Sequence, residues 1–241
     1  MIDITTPTPN NSGNPLTTTA LFRMALPIAV LFLFAIAALG RNSVWYNDIG
    51  FWLDVIAKNP RSGLGYANLG VSYQKMDLFP EAIAMSTRAV ALSPNSIAHN
   101  NLGNVYARLG LLDKALDQYS LAIGLSPEEP SYYGNRGIVY SRLGRYDKAF
   151  DDYDQALALD PDYSKAYMNR GNVFSLQGKL DAALAEYDQA IEIDPDYADL
   201  YYCRGLTLQQ LHRTTEAFAD YQYGCSHGSV LACKALTGPY N

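Results

Sequence analysis

One spaced pattern occurs five times between Gly63 and about Leu231, with a period of 34 residues and a single 33-residue step. The same internal position reads Gly70, Gly103, Gly137, Gly171 and Gly205; three residues on come Tyr73, Tyr106, Tyr140, Phe174 and Leu208. Twelve residues after each glycine stand Ala82, Ala115, Ala149, Ala183 and Ala217, followed by Ser86, Tyr119, Tyr153, Tyr187 and Tyr221. The copies close on Pro94, Pro127, Pro161 and Pro195. Self-similarity at such a period means a stack of identical units. A stack presents surface and does not enclose a catalytic pocket.

Each copy reads as two helices. In the third, Tyr133, Ile138, Val139, Tyr140 and Leu143 recur at helical spacing from Ser131 to Leu143. Gly144 supplies the left-handed residue that ends a helix cheaply. A second helix from about Tyr146 to Leu159 buries Ala149, Phe150, Tyr153, Ala156 and Leu157, and Asp160-Pro161 stops it. Gly137 and Ala149 let the two backbones approach, and Tyr140 and Tyr153 fill the space around them.

The run N-x-G-x-x-Y, then Gly, Ala, Tyr, Ala and Pro, resembles the tetratricopeptide repeat, and it recurs in phase over about 170 residues. The resemblance implies an all-α solenoid of five helix hairpins, at residues 63–95, 96–129, 130–163, 164–197 and a degenerate 198–231, with a capping helix at 226–237. The end copies depart from the pattern. Asp77 and His212 stand where Gly110, Gly144 and Gly178 stand elsewhere, and Gly224 replaces an alanine. Terminal repeats are expected to be atypical, because one face lacks a neighbour.

Residues 1–20 are rich in Thr, Pro and Asn, which predicts a disordered polar tail. Residues 21–40 are apolar apart from Arg23, long enough for a bilayer core of roughly 30 Å. Arg23 and Arg41 sit at the edges and Trp45-Tyr46 at interfacial depth, so a single transmembrane signal anchor is expected. The other reading is a signal peptide cut after Ala35-Ile36-Ala37. Residues 41–62 then form a juxtamembrane helix or linker. Arg41, Lys58 and Arg61 after the span nominally keep the repeats cytoplasmic. Against this, the run Arg41-Asn42, Trp45, Phe51-Trp52, Asp54, Lys58-Asn59-Pro60-Arg61 and Asn68-Leu69-Gly70 resembles the junction of multi-span glycosyltransferase-type proteins that carry a tetratricopeptide tail. That resemblance implies a periplasmic or otherwise extracytoplasmic tail, and, as an alternative function, an accessory subunit of a membrane glycosyltransferase or envelope complex.

Cys225 and Cys233, with seven residues between them, resemble the linked cysteines of Sel1-like repeats, which implies a disulfide in an oxidising compartment. The bland reading is two thiols filling space. Cys203, Cys225, His227 and Cys233 match no standard zinc spacing, so no metal is expected.

In a stack of this kind the first helix of each pair is expected to line the concave side. Its inward stripe holds Asn68, Asn101, Asn135 and Asn169 at one position in four repeats, with Asn104 and Asn172 beside them. An amide donates and accepts, so such a ladder can hold an extended peptide backbone without reading its sequence. It is similar to the asparagine ladder of O-linked N-acetylglucosamine transferase; the other reading is an amide satisfying a local backbone group. Lys75, Arg108 and Arg142 repeat at a neighbouring register and could pair with acidic ligand groups or simply be solvated. Tyr133, Tyr167, Tyr201 and Tyr202 would select side chains if they face inward, or pack between repeats. The two-carboxylate clamp of chaperone-tail binders is not matched, since its positions fall on Ala67, Gly134 and Ile138. Asp113, Asp117, Asp151, Asp152, Asp181 and Glu186 are expected on a wet convex face.

With 18 Lys+Arg against 24 Asp+Glu and no dense basic stripe, nucleic acid is not an expected partner. No Gly-rich phosphate loop, HExxH or G-x-S-x-G occurs, so neither an enzyme, a cofactor nor a small-molecule substrate is expected. The expectation is a membrane-anchored scaffold that binds a protein or peptide in the concave groove.

Overall fold

The computed structural model describes residues 48–237, and the expected tail and apolar segment at 1–20 and 21–40 lie outside the described residues. The described chain is all-α. Helix α1 covers residues 48–58. Five hairpins follow, each a 13-residue first helix and a second of 13 or 14 residues: α2 (Gly63–Lys75) with α3 (Phe79–Leu92), α4 (Ser96–Arg108) with α5 (Leu112–Leu125), α6 (Pro130–Arg142) with α7 (Tyr146–Leu159), α8 (Ser164–Leu176) with α9 (Leu180–Ile193), and α10 (Ala198–Gln210) with α11 (Thr214–Ser226). Helix α12 (Val230–Thr237) closes the stack against α11 and α10. Among the described residues no helix is long and apolar enough to cross a membrane.

The turn inside every hairpin is built the same way. The amide of Leu78, Leu111, Arg145, Lys179 or Arg213 donates to the carbonyl five residues back, at 2.9–3.0 Å. That closure needs a left-handed residue just before the donor. Gly110, Gly144 and Gly178 supply it with φ of 75°, 71° and 73°. Asp77 and His212 occupy the same conformation, each at φ 59°, so the turn geometry overrides residue preference at both ends of the array. The closure recurs a sixth time between α11 and α12, where Gly228 has φ 99° and the Ser229 amide donates to Gly224.

The pattern glycines are points of helix contact. A Cβ on Gly137, Gly171 or Gly205 would meet the ring of Tyr153, Tyr187 or Tyr221 at 2.5–2.7 Å. Tyr153 and Tyr187 are almost wholly buried, and Ala149, Ala156, Ala183 and Ala190 have no exposed surface. In the first hairpin Ser86 takes the tyrosine's place, and a Cβ on Gly70 would meet its hydroxyl at 2.5 Å. Gly224 sits where α11 meets two other helices: a Cβ there would lie 3.0 Å from the Ala198 carbonyl and 3.0 Å from Ala232. Alanine, the residue of the inner copies, would need the Ala198 carbonyl and Ala232 to give by a few tenths of an ångström.

Candidate functional site

Successive first helices touch, α2 with α4 through to α8 with α10, whereas the Cα atoms of successive second helices stay more than 8 Å apart. The first-helix layer is therefore the tight inner side of the stack and the second-helix layer the spread outer side. Along the inner stripe, aliphatic side chains stand in the open: Leu64 is 69% exposed, Ile97 61% and Leu176 67%, with Ile138 and Leu206 partly exposed.

The asparagines divide into three groups. Asn68 Nδ2 donates to the Leu64 carbonyl one turn back at 3.1 Å, and Asn135 Nδ2 donates to Asn100 Oδ1 of the preceding repeat at 2.9 Å. Asn104 and Asn172 accept from the Tyr119 and Tyr187 hydroxyls at 2.7 and 2.8 Å. They hold the buried ring of their own hairpin and keep their amide N–H groups uncommitted. No side-chain hydrogen bond joins Asn101 or Asn169 to another described residue, and Asn169 is 9% exposed.

The cations expected to await a ligand are largely engaged within the chain. Arg108 donates to the Gln74 carbonyl and pairs with Asp77 at 2.7 Å, and its guanidinium lies over the Phe79 ring. Arg142 donates to the Ala107 carbonyl at 2.6 Å. Each reaches the carbonyl end of the preceding first helix, where unpaired C=O groups and the helix dipole favour a cation. Lys75 is exposed in the last turn of α2. The four tyrosines are packing groups. Tyr133 and Tyr201 are buried, with hydroxyls donating to the Pro127 and Pro195 carbonyls. Tyr167 packs with the cluster around Tyr201, and Tyr202 with that around Tyr221.

Two carboxylates expected on a wet face are not there. Asp152 is 5% exposed and takes both ends of the Arg136 guanidinium at 2.7 and 2.9 Å, and Glu186 takes Arg170 in the same way. Asp220 does so with Arg204. Each arginine also reaches the second helix of the preceding repeat: Arg136 to Ser120, Arg170 to Asp154, Arg204 to Asp188. The partners lie sixteen residues before and after the arginine, so three staples bridge the gap between second helices that do not touch. The sequence does carry this signal, as an arginine beside the pattern glycine with an acid sixteen residues later.

These pairings leave the layers opposite in charge. The first helices carry Lys75, Arg108, Arg136, Arg142, Lys165, Arg170 and Arg204 against the single carboxylate Asp199, which accepts from Ser229 at 2.6 Å. The second helices carry thirteen carboxylates against Arg88, Lys114 and Lys148.

At the end of the stack Cys225 and Cys233 form a disulfide across the α11–α12 turn, with Cα atoms 4.6 Å apart. Cys203 is a thiol whose pKa is pushed up to about 11 by burial and then by Asp199. Among the described residues no three metal-ligating side chains converge.

Four sequence profiles of the repeat match in overlapping tiles: tetratricopeptide repeat over 68–130, 130–163 and 152–185, and TPR repeat over 171–211. No curated protein matches the chain. Solved structures share the fold. TTC0263, a thermophilic TPR protein of Thermus thermophilus, is 22% identical and covers 73% of this chain and 100% of its own, with a TM-score of 0.66. PilW, described as a widely conserved type IV pilus biogenesis factor, is 22% identical over 70% of this chain and 78% of its own, with a TM-score of 0.62. YrrB, described as a TPR protein with an unusual peptide-binding site, is 22% identical over 78% of this chain and 98% of its own, with a TM-score of 0.50. The tiled profiles, the repeated hairpin and its glycine–tyrosine packing agree: this chain is a tetratricopeptide-repeat protein.

Proposed function

We propose that the chain is a membrane-tethered scaffold that holds an extended segment of a partner protein across its first-helix layer. The observation that carries this reading is the pair Asn101 and Asn169, amides on the inner face with no partner among the described residues. Neither amide is sealed from solvent, so each stays open to exchange its water for the hydrogen bonds of a ligand backbone. Exposed Leu64, Ile97 and Leu176 flank them with apolar surface for ligand side chains. Residues 21–40 are the proposed tether. The Cys225–Cys233 disulfide supports an extracytoplasmic setting for the repeats, because such bonds persist in oxidising compartments.

The test compares full-length wild type with Asn101→Ala/Asn169→Ala in affinity capture from solubilised membranes. Partner recovery is expected to fall by at least about tenfold, which corresponds to roughly two lost hydrogen bonds; equal recovery rejects groove recognition. The tether is tested separately. The chain should stay in the pellet after alkaline carbonate washing, and externally added protease should digest the repeats in spheroplasts.

A further inference from the structure

We infer that the segment held by the groove is acidic as well as aliphatic, with carboxylates set against the rims of repeats three and four. The inference rests on the groove reading above and adds the chemistry of the occupant.

The chain is net −6, yet its inner layer has one carboxylate, and that one is bonded to Ser229. The surplus of negative charge lies on the outer layer, so an anionic ligand is repelled from the back of the stack and admitted at the front. Three of the inner-layer arginines are neutralised by the staples and leave the groove uncharged where they stand. Four cations remain on the first helices: Lys75, Arg108, which pairs with Asp77, and, in repeats three and four, Arg142 and Lys165. Arg142, in the last turn of α6, bonds only a carbonyl among the described residues, which leaves most of its five N–H donors uncommitted. Lys165, in the first turn of α8, is exposed at the opposite rim.

Spacing supports an extended ligand. Neighbouring helices pack about 8–10 Å apart, and an extended chain rises about 3.3 Å per residue, so one repeat matches about three ligand residues. Asn101 and Asn169 are two repeats apart, which places the two held peptide groups about six residues from each other. The ligand stretch between them crosses exposed Ile138 on the floor and passes Arg142 and Lys165 at the rims. Its apolar side chains meet the former and its carboxylates the latter.

The test is a randomised decapeptide library displayed to the full-length protein at about 50 mM salt, where screening is weak. Selected peptides should be enriched in Asp and Glu together with Leu, Ile or Val. Binding of a selected peptide should weaken at least tenfold in Arg142→Glu/Lys165→Glu and several-fold when salt is raised tenfold. Arg142 also braces Ala107, so Lys165→Glu alone serves as the variant that leaves the fold untouched, with a loss of about threefold. Selected peptides that lack acidic enrichment, or that bind the charge-reversed proteins equally well, overturn the acidic occupant. If those same peptides are lost in Asn101→Ala/Asn169→Ala, the groove itself stands. Failure to select any peptide, or selection indifferent to the asparagines, overturns both.

Discussion

At the scale of single residues, the packing separates glycines that must be glycine from those that need not be. Gly137 faces the buried ring of Tyr153, whereas Gly124, on the outer face of α5, would have nothing within 4 Å of a Cβ. Gly137→Ala should therefore destabilise by about 1–3 kcal/mol through overpacking. Gly124→Ala should stabilise by about 0.5–1 kcal/mol through helix propensity. Urea midpoints of the two variants against wild type check both signs. The pattern glycines were legible in the sequence because small residues recurred in register with a tyrosine sixteen positions on. The roles of Asn104 and Asn172 were not, because an amide beside the groove and an amide holding a tyrosine occupy the same helical face. Only the hydroxyl contact of 2.7 Å distinguishes them.

At the scale of helices and their contacts, the staples are the largest addition to what the chain's pattern announced. Arg204 joins Asp220 of its own hairpin to Asp188 of the one before, and the Asp220 side chain is 9% exposed. Arg204→Met should cost about 3 kcal/mol or more, since it strands a buried carboxylate. Arg204→Met/Asp220→Leu should recover most of that loss, because a matched apolar pair carries no uncompensated charge. Chemical denaturation of the single and double variants measures it, and equal instability in the two would refute the account. Hairpin existence and helix type were readable from periodicity, as were the atypical turns at Asp77 and His212. Which acids were buried was not. Amphipathic spacing places Asp152 near a helix boundary face, and its burial depends on an arginine sixteen residues away and on the width of the gap between second helices.

At the scale of the whole array, stability should depend on alkaline pH and on reductant. Burial holds the Tyr201 and Tyr221 hydroxyls up to about 12, and raises Tyr119, Tyr153 and Tyr187 further still from their ordinary value of 10.0. A raised folded-state value means the unfolded chain loses these protons first. Their contribution is then complete below pH about 10 and declines as pH climbs through the folded values. Midpoints of urea unfolding should be level to about pH 9.5 and fall beyond about 10; a level profile to pH ~12 would contradict the burial. Reducing the Cys225–Cys233 bridge opens a short loop, and chain entropy sets the loss at about 2–3 kcal/mol. Tryptic cleavage around Lys234 should accelerate on reduction while the inner hairpins stay protected.

The staples span the second helices from repeat two to repeat five, but none crosses between α3 and α5, where Leu102 stands in place of the arginine. The array is in that sense a spring of uneven stiffness. Its rear seam is stitched over the last four coils and left open at the first. Bending that widens or narrows the groove will therefore concentrate at that first seam, and a long, inflexible cargo would be gripped firmly at one end and accommodated at the other.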